Sequence, residues 1–229
     1  MSINDVLEGK IRWHLAQADC IDVLRRMPDG CVDAVVTDPP YGISYRSSVA
    51  RYKPIANDDR PFIWWLREAF RVTKEPGALL CFCRWDVQEA FKFAIDLAGW
   101  NIRSQIVWDR LRHGVGDTKA TFAPRHDVVW FGTRGRFAFP SGRPASVLPF
   151  ARVPWQRSVH PTEKPVALLR RLVRAITPLG GLVADPFAGS GSTGVAAIVE
   201  GFRFLGVELD PAYVPDARRR LARAVREPR

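Results

Sequence analysis

The sequence predicts an α/β fold, a mostly parallel sheet with helices on both faces. Three observations carry that prediction. Short apolar runs alternate along the chain with amphipathic stretches, the order that gives parallel strands joined by helical crossovers. Several runs are near-continuous in Val, Leu, Ile and Phe, as strands buried on both faces require. One run, 181–185, passes through a glycine-rich turn straight into a stretch rich in Val and Ala.

Taken in order, the strands are expected at 11–16, 32–37 (VDAVVT), 77–83 (GALLCFC), 101–108 (NIRSQIVW), 126–132 (HDVVWFG), 181–185 (GLVAD) and 202–207 (FRFLGV). The clearest helix is expected over 86–98, where Val87, Ala90, Phe91, Ala94, Ile95 and Ala98 recur at helical spacing. A second follows Pro165, whose missing N–H is tolerated at a helix start, and carries Leu168, Leu169, Leu172, Val173 and Ile176. A third follows Pro211, with Tyr213, Val214, Ala217, Leu221 and Ala224 on one face. Cys81 and Cys83 lie two apart in an apolar run and so share one face of a strand. With Cys20 and Cys31 they form no C-x-x-C pair, and His14, His113, His126 and His160 are scattered. Structural thiols and no metal site are the expectation.

The 229 residues fit a single domain, 1–229. No apolar run reaches the length of a membrane span. The first residues, MSINDVLEGKIRW, lack a basic region followed by an apolar one, so a cytoplasmic location is expected. Lys and Arg exceed Asp and Glu by 34 to 24, a net charge of +10, which points to nucleic acid as a partner. Two segments concentrate that charge. Val128–Thr162 has no acid but holds Arg134, Arg136, Arg143, Arg152 and Arg157 among prolines and aromatic rings. Gly42–Lys53 holds Arg46, Arg51 and Lys53 beside Tyr45 and Tyr52. Basic and aromatic residues interleaved on irregular backbone suit phosphate contact and base stacking, although a proline-rich connection packed on its own domain has the same composition.

Two short motifs carry chemistry. In GLVADPFAGSGSTG, residues 181–194, Gly189 and Gly191 let the backbone turn tightly and approach a ligand. Glu208 ends the next strand, where nucleotide-binding α/β folds grip a ribose hydroxyl. A nucleoside-containing cofactor is expected; Asp185 beside the loop suits a cationic ligand better than a pyrophosphate. The second motif, Asp38-Pro39-Pro40-Tyr41, comes directly after an apolar strand. Two prolines fix the backbone and remove two donors, and an ionised Asp38 is acceptor-only. The corner therefore offers acceptors beside an aromatic ring, which fits a flat group bearing an amine.

In this arrangement the chain resembles the amino-group DNA methyltransferases, with the Asp-Pro-Pro-Tyr corner placed before the cofactor loop. The resemblance implies a seven-stranded Rossmann-like sheet and S-adenosylmethionine as cofactor. It implies catalytic roles for Asp38, Pro39, Pro40 and Tyr41. It implies cofactor contacts at Asp185, Pro186, Phe187, Gly189, Ser190, Gly191, Ser192, Thr193 and Glu208. His160, Thr162 and Lys164 fall in a segment (HPTEKP) similar to one that packs beside the methionine part, and Asp19 falls in one similar to the adenine-side Gly-Asp-Cys. The variable segment that reads target sequence would be 133–159, short enough that 42–60, 110–125 or a second subunit would share the reading.

The implied reaction is direct methyl transfer to the 6-amino group of an adenine flipped out of double-stranded DNA. The 4-amino group of cytosine is the alternative, and Asp rather than Ser at 38 leans toward adenine. A nicotinamide oxidoreductase would use the glycine loop but leave the corner and the charge without a purpose. No cysteine follows a proline here, unlike the ring-carbon methyltransferases. A homodimer and a cognate restriction nuclease stay open as partners.

Overall fold

The structure is a computed structural model that describes residues 2–44, 56–114, 119–154, 156, 158 and 162–226. Its strands are β1 (Trp13–Gln17), β2 (Val32–Thr37), β3 (Thr73–Cys83), β4 (Asn101–Asp109), β5 (His126–Arg134), β6 (Val147–Pro149), β7 (Leu182–Asp185) and β8 (Arg203–Glu208). Its helices are α1 (Ile3–Leu7), α2 (Cys20–Arg26), α3 (Leu66–Val72), α4 (Gln88–Leu97), α5 (Val166–Ile176), α6 (Ser192–Val199) and α7 (Val214–Arg226). The strands form one sheet in the order β1-β8-β7-β2-β3-β5-β4-β6. All neighbours are parallel except β5, which runs antiparallel to both β3 and β4.

The sheet has eight strands where seven were expected. The extra one, β6, is three residues long and ends in Pro149, so it carries no periodicity to read. It joins the edge through Val107↔Val147 to Asp109↔Pro149. Three short helices, α1 to α3, also carry too few turns for periodicity to reveal them. Each of the first two has a polar cap instead: Ser2 and Asp5 close a capping box on α1, and Asp19 accepts the Ile21 N–H on α2 at 2.8 Å.

Alternation along each strand divides the core in two. Ala34, Val36, Leu80 and Phe82 face the layer of α5, α6 and α7. Val35, Leu79, Cys81 and Cys83 face the layer of α1 to α4. Cys81 and Cys83 share a face as their spacing requires, and burial pushes the Cys83 thiol up to about 12. Against the first layer, α6 lies very close to β8. A Cβ on Gly194 would fall 2.4 Å from Leu221 and 2.5 Å from Phe204, so glycine is needed there.

Candidate active site

The five parallel strands β1, β8, β7, β2 and β3 bring their carboxyl ends to one edge of the sheet. There a cavity of about 2250 Å³ opens, lined from β1 by Asp19, from β2 by Asp38–Tyr41, from β7 by Asp185–Ser190 and from β8 by Glu208. The two motifs therefore share one cleft. They are also joined directly: Thr37 Oγ1, the last residue of β2, donates to Asp185 Oδ1, the last residue of β7, at 2.6 Å.

The Asp38–Tyr41 corner is held from outside its own sequence. The Phe62 N–H donates to the Pro40 carbonyl at 3.2 Å, and buried Asp58 accepts the Gly42 N–H at 2.7 Å. Among the described residues nothing donates to the Pro39 carbonyl. The Asp38 carboxylate takes two internal donors, the Tyr41 hydroxyl on Oδ1 and the Lys164 ammonium on Oδ2. Burial, then the neighbouring Asp38 charge, pushes the Tyr41 phenol well above its usual range, so its hydroxyl stays a donor at neutral pH. Its ring meets Phe91 edge-on at 6.3 Å. Thr37 and Asp58 are site residues that the sequence reading missed. Thr37 could have been found as the final residue of a buried strand; Asp58 sits in a loop with no pattern.

The glycine loop turns where the sequence supplies glycine: Gly189 has φ 51° and Gly191, at the start of α6, φ 77°. Asp185 is buried, and that burial pushes its carboxyl up to about 6 against the opposing pull of the Thr37 and Thr193 hydroxyls and the Phe187 N–H. Glu208 Oε2 accepts the Gly189 N–H at 2.7 Å and Oε1 the Asp210 N–H at 2.8 Å, which fixes the carboxylate at the loop. Burial also pushes this carboxyl above its usual range, which disfavours its ionised form. Phe187 packs edge-on against Phe62 and Trp65 at 5.9 and 5.4 Å. Behind the loop, Arg220 donates to the Ser190 carbonyl at 2.9 Å and pairs with Glu163 at 2.8 Å.

This end of the cleft carries Asp19, Asp185, Glu208 and Asp210. An acidic donor-poor wall suits the cationic S-adenosylmethionine and its ribose hydroxyls, and opposes a dinucleotide's pyrophosphate. The residues fit the methyl donor on that ground. Thr162 also lines the cavity. Ser192 and Thr193 open α6 within the lining, whereas Asp19 spends one oxygen capping α2. His160 lies outside the described residues.

The opposite rim is basic. Arg84, Arg110, Arg112, Arg125 and Arg152 line it, three of them in ion pairs: Arg84 with Asp86, Arg110 with Asp127 and Arg125 with Asp109. Exposed Trp85 and fully exposed Phe122 stand among them. Of the basic residues expected to touch DNA, the structure brings only Arg152 to the cleft; Arg46, Arg51, Lys53 and Arg157 lie outside the described residues. Arg136 and Arg143 are exposed and away from the cavity lining. Arg134 is engaged elsewhere: one of its nitrogens donates to the carbonyls of Phe70, Arg71 and Thr73 at 2.7, 2.9 and 2.8 Å, and its guanidinium lies 4.7 Å from the Phe70 ring centre. Segment 133–159 is thus split. Phe137 and Phe139 pack on Phe131 at the far end of the sheet, β6 crosses its edge, and only the residues after Phe150 reach the cleft. Among the described residues no group of three His, Cys, Asp or Glu could hold a metal, and no helix is long and apolar enough to cross a membrane.

Comparison with known proteins agrees with this geometry. The profile of a DNA methylase family, the N6/N4 methyltransferases, matches residues 32–152 and 141–219. YubD of Escherichia coli (strain K12), a putative methylase by name, is 35% identical over 214 residues, covering 90% of this chain and 88% of its own. The DNA adenine methyltransferase YhdJ of the same organism is 30% identical over 249 residues, covering 90% and 82%. The crystal structure of the M1.HpyAVI–SAM complex superposes with a TM-score of 0.74, covering 91% of this chain and 98% of that one; at 18% identity the likeness is one of fold.

Proposed function

Because the chain belongs to the N6/N4 DNA methylase family, we propose that it methylates the 6-amino group of adenine in double-stranded DNA. S-adenosylmethionine is the family's methyl donor, and Asp185, Glu208 and the loop from Pro186 to Thr193 would hold it. Bound there, it would supply the methyl carbon to the amine nitrogen with sulfur keeping the C–S electron pair, and the proton displaced from that nitrogen would pass to solvent.

The observation that carries the reading is the Thr37–Asp185 hydrogen bond, which locks the amine-accepting corner to the cofactor loop. An aromatic amine is a poor nucleophile because its lone pair is delocalised into the ring. The Asp38 carboxylate and the Pro39 carbonyl, accepting its two hydrogens, localise that pair and stabilise the positive charge that develops on nitrogen. Tyr41 stacks against the extruded base, which offsets part of the few kcal/mol that unstacking costs. Adenine is favoured over cytosine by Asp at 38 and by the name of the relative YhdJ. The exposed Arg112 and Arg152 of the rim take the duplex, with Arg46, Arg51, Lys53 and Arg157 as further contacts, while Arg84, Arg110 and Arg125 are engaged by Asp86, Asp127 and Asp109. Target reading falls to the cleft end of 133–159, after Phe150, and to 110–125.

Expression in a host free of DNA methylation, with modification-sensitive sequencing of its DNA, tests this. N6-methyladenine in a fixed sequence context is expected. N4-methylcytosine instead would overturn the choice of base, and unmodified DNA the activity.

A further inference from the structure

Lys164 is nearly buried, with a side chain 10% exposed, and among the described residues Asp38 is the one carboxylate it reaches. Its other near neighbours are the rings of Phe82 and Tyr41, 5.2 and 5.9 Å away, and the Thr162 carbonyl at 3.5 Å. The Pro165 N-cap of α5 comes directly after it and anchors the backbone that carries it. Among the described residues its ammonium bonds only to Asp38 and the Thr162 carbonyl, although it lines the cavity that Asp185, Glu208 and the glycine loop also line. A buried cation is tolerated only beside its counter-charge. Here that counter-charge is the carboxylate assigned to the amine.

We infer that Lys164 is a positioning residue for methyl transfer, which aims the Asp38 carboxylate, and that it does not serve to bind the cofactor. The inference rests on the role proposed for Asp38. An ionised carboxylate offers about four lone-pair sites. The Tyr41 hydroxyl takes one on Oδ1 and the Lys164 ammonium one on Oδ2, so each oxygen keeps a site for an incoming N–H. Clamped at both oxygens, the carboxylate cannot swing toward a sulfonium in the same cleft. It is also ready before the base arrives, which is what preorganisation requires.

The test compares Lys164→Met, Lys164→Arg and Asp38→Asn with the wild type. It measures S-adenosylmethionine affinity by calorimetry, kcat at saturating cofactor on a methylatable duplex, and thermal melting. For Lys164→Met we expect kcat to fall about 10²-fold, the scale for one preorganised polar contact, with cofactor Kd within about three-fold. Lys164→Arg, which keeps the charge, should recover at least about a tenth of wild-type kcat, a rescue that bulk loss of folding would not give. The double variant Lys164→Met/Asp38→Asn should be no slower than Asp38→Asn alone, because the two act as one unit. A kcat within about three-fold of wild type, or a cofactor Kd weakened about ten-fold at unchanged kcat, overturns the inference. If Lys164→Met does not fold, Lys164→Arg and Lys164→Gln carry the same comparison. Wild-type turnover in Asp38→Asn would instead sink the reading of the corner, which keeps the two failures apart.

Discussion

The five-stranded parallel half of this sheet and the single reversed strand β5 meet the cleft in opposite senses. In β1, β8, β7 and β2 the chain runs toward the site, so each strand hands over a carboxylate to the cleft at or just after its last apolar position: Asp19, Glu208, Asp185 and Asp38. In β5 the chain runs away from the site, so the residues that reach the cleft lie before the strand or at its start: Pro124, Arg125, His126 and Asp127. The other end of β5, with Arg134 and then Arg136, comes out on the far side of the sheet. The difference is chemical as well. The ends of β1, β8, β7 and β2 present carboxylates to the cleft, and the ends of β3, β4 and β6 with the start of β5 present arginines and exposed rings, the two walls proposed for a cationic cofactor and for a polyanion. A strand's direction therefore decides at which of its ends to look for function.

The largest effect that could break the comparison concerns the parallel half. Asp38→Asn keeps the shape and an acceptor oxygen but removes the charge, and kcat should fall about 10³-fold while cofactor affinity holds. Asn is the cleaner change than Ala, because Ala strands the buried Lys164 ammonium without a partner. Single-turnover methyl transfer together with calorimetry would check it; turnover near wild type removes Asp38 from the chemistry.

Next comes Asp185→Asn. It removes the buried charge facing the cofactor loop, and cofactor affinity should drop about 10²-fold, the scale for losing a charged hydrogen-bond partner. Calorimetry with S-adenosylmethionine measures it, and an unchanged isotherm would remove Asp185 from cofactor binding.

A smaller effect sharpens the same point through pH. Burial raises the Asp185 carboxyl from 3.8 to about 6 in the folded protein. The folded chain thus binds this proton more tightly than the unfolded one. Its contribution to stability rises as pH falls from about 6 toward 4, at about 1.4 kcal/mol per pH unit at most. On the proposed role of Asp185, cofactor binding uses the ionised form and has the opposite sign, weakening by up to about ten-fold per unit below pH 6. Melting of the free protein and calorimetry across pH 5 to 8 should therefore move in opposite directions.

Much of the parallel half was legible because burial on both faces writes itself as unbroken apolar runs. Ala34–Val36 and Leu182–Ala184 are examples, each followed by a polar residue that had to be functional or paired. The corner and the loop were legible because Pro39, Pro40, Gly189 and Gly191 act locally, through their own backbone restrictions. Contacts made across long sequence distances left no such mark. Thr37 reaches Asp185 over 148 positions, Lys164 reaches Asp38 over 126, and Asp58 clasps Gly42 from an irregular loop. Composition picked out 133–159 as basic and aromatic. It could not say that Arg134 would be spent on three carbonyls, because that depends on which way β5 runs.

The smallest effect tests that directional rule on the DNA side. Arg152 stands at the cleft and Arg136 at the far end of the same segment, both exposed. The two side chains have the same charge and comparable solvent access, so composition treats them alike. If position relative to the cleft decides, Arg152→Ala should weaken DNA binding a few-fold and reduce the slope of log affinity against log salt by about one. Arg136→Ala should leave both unchanged. Fluorescence-anisotropy titrations of a duplex at several salt concentrations read both quantities. Equal losses from the two variants would mean that the duplex wraps past the edge of the sheet, and that the far end of 133–159 touches DNA after all.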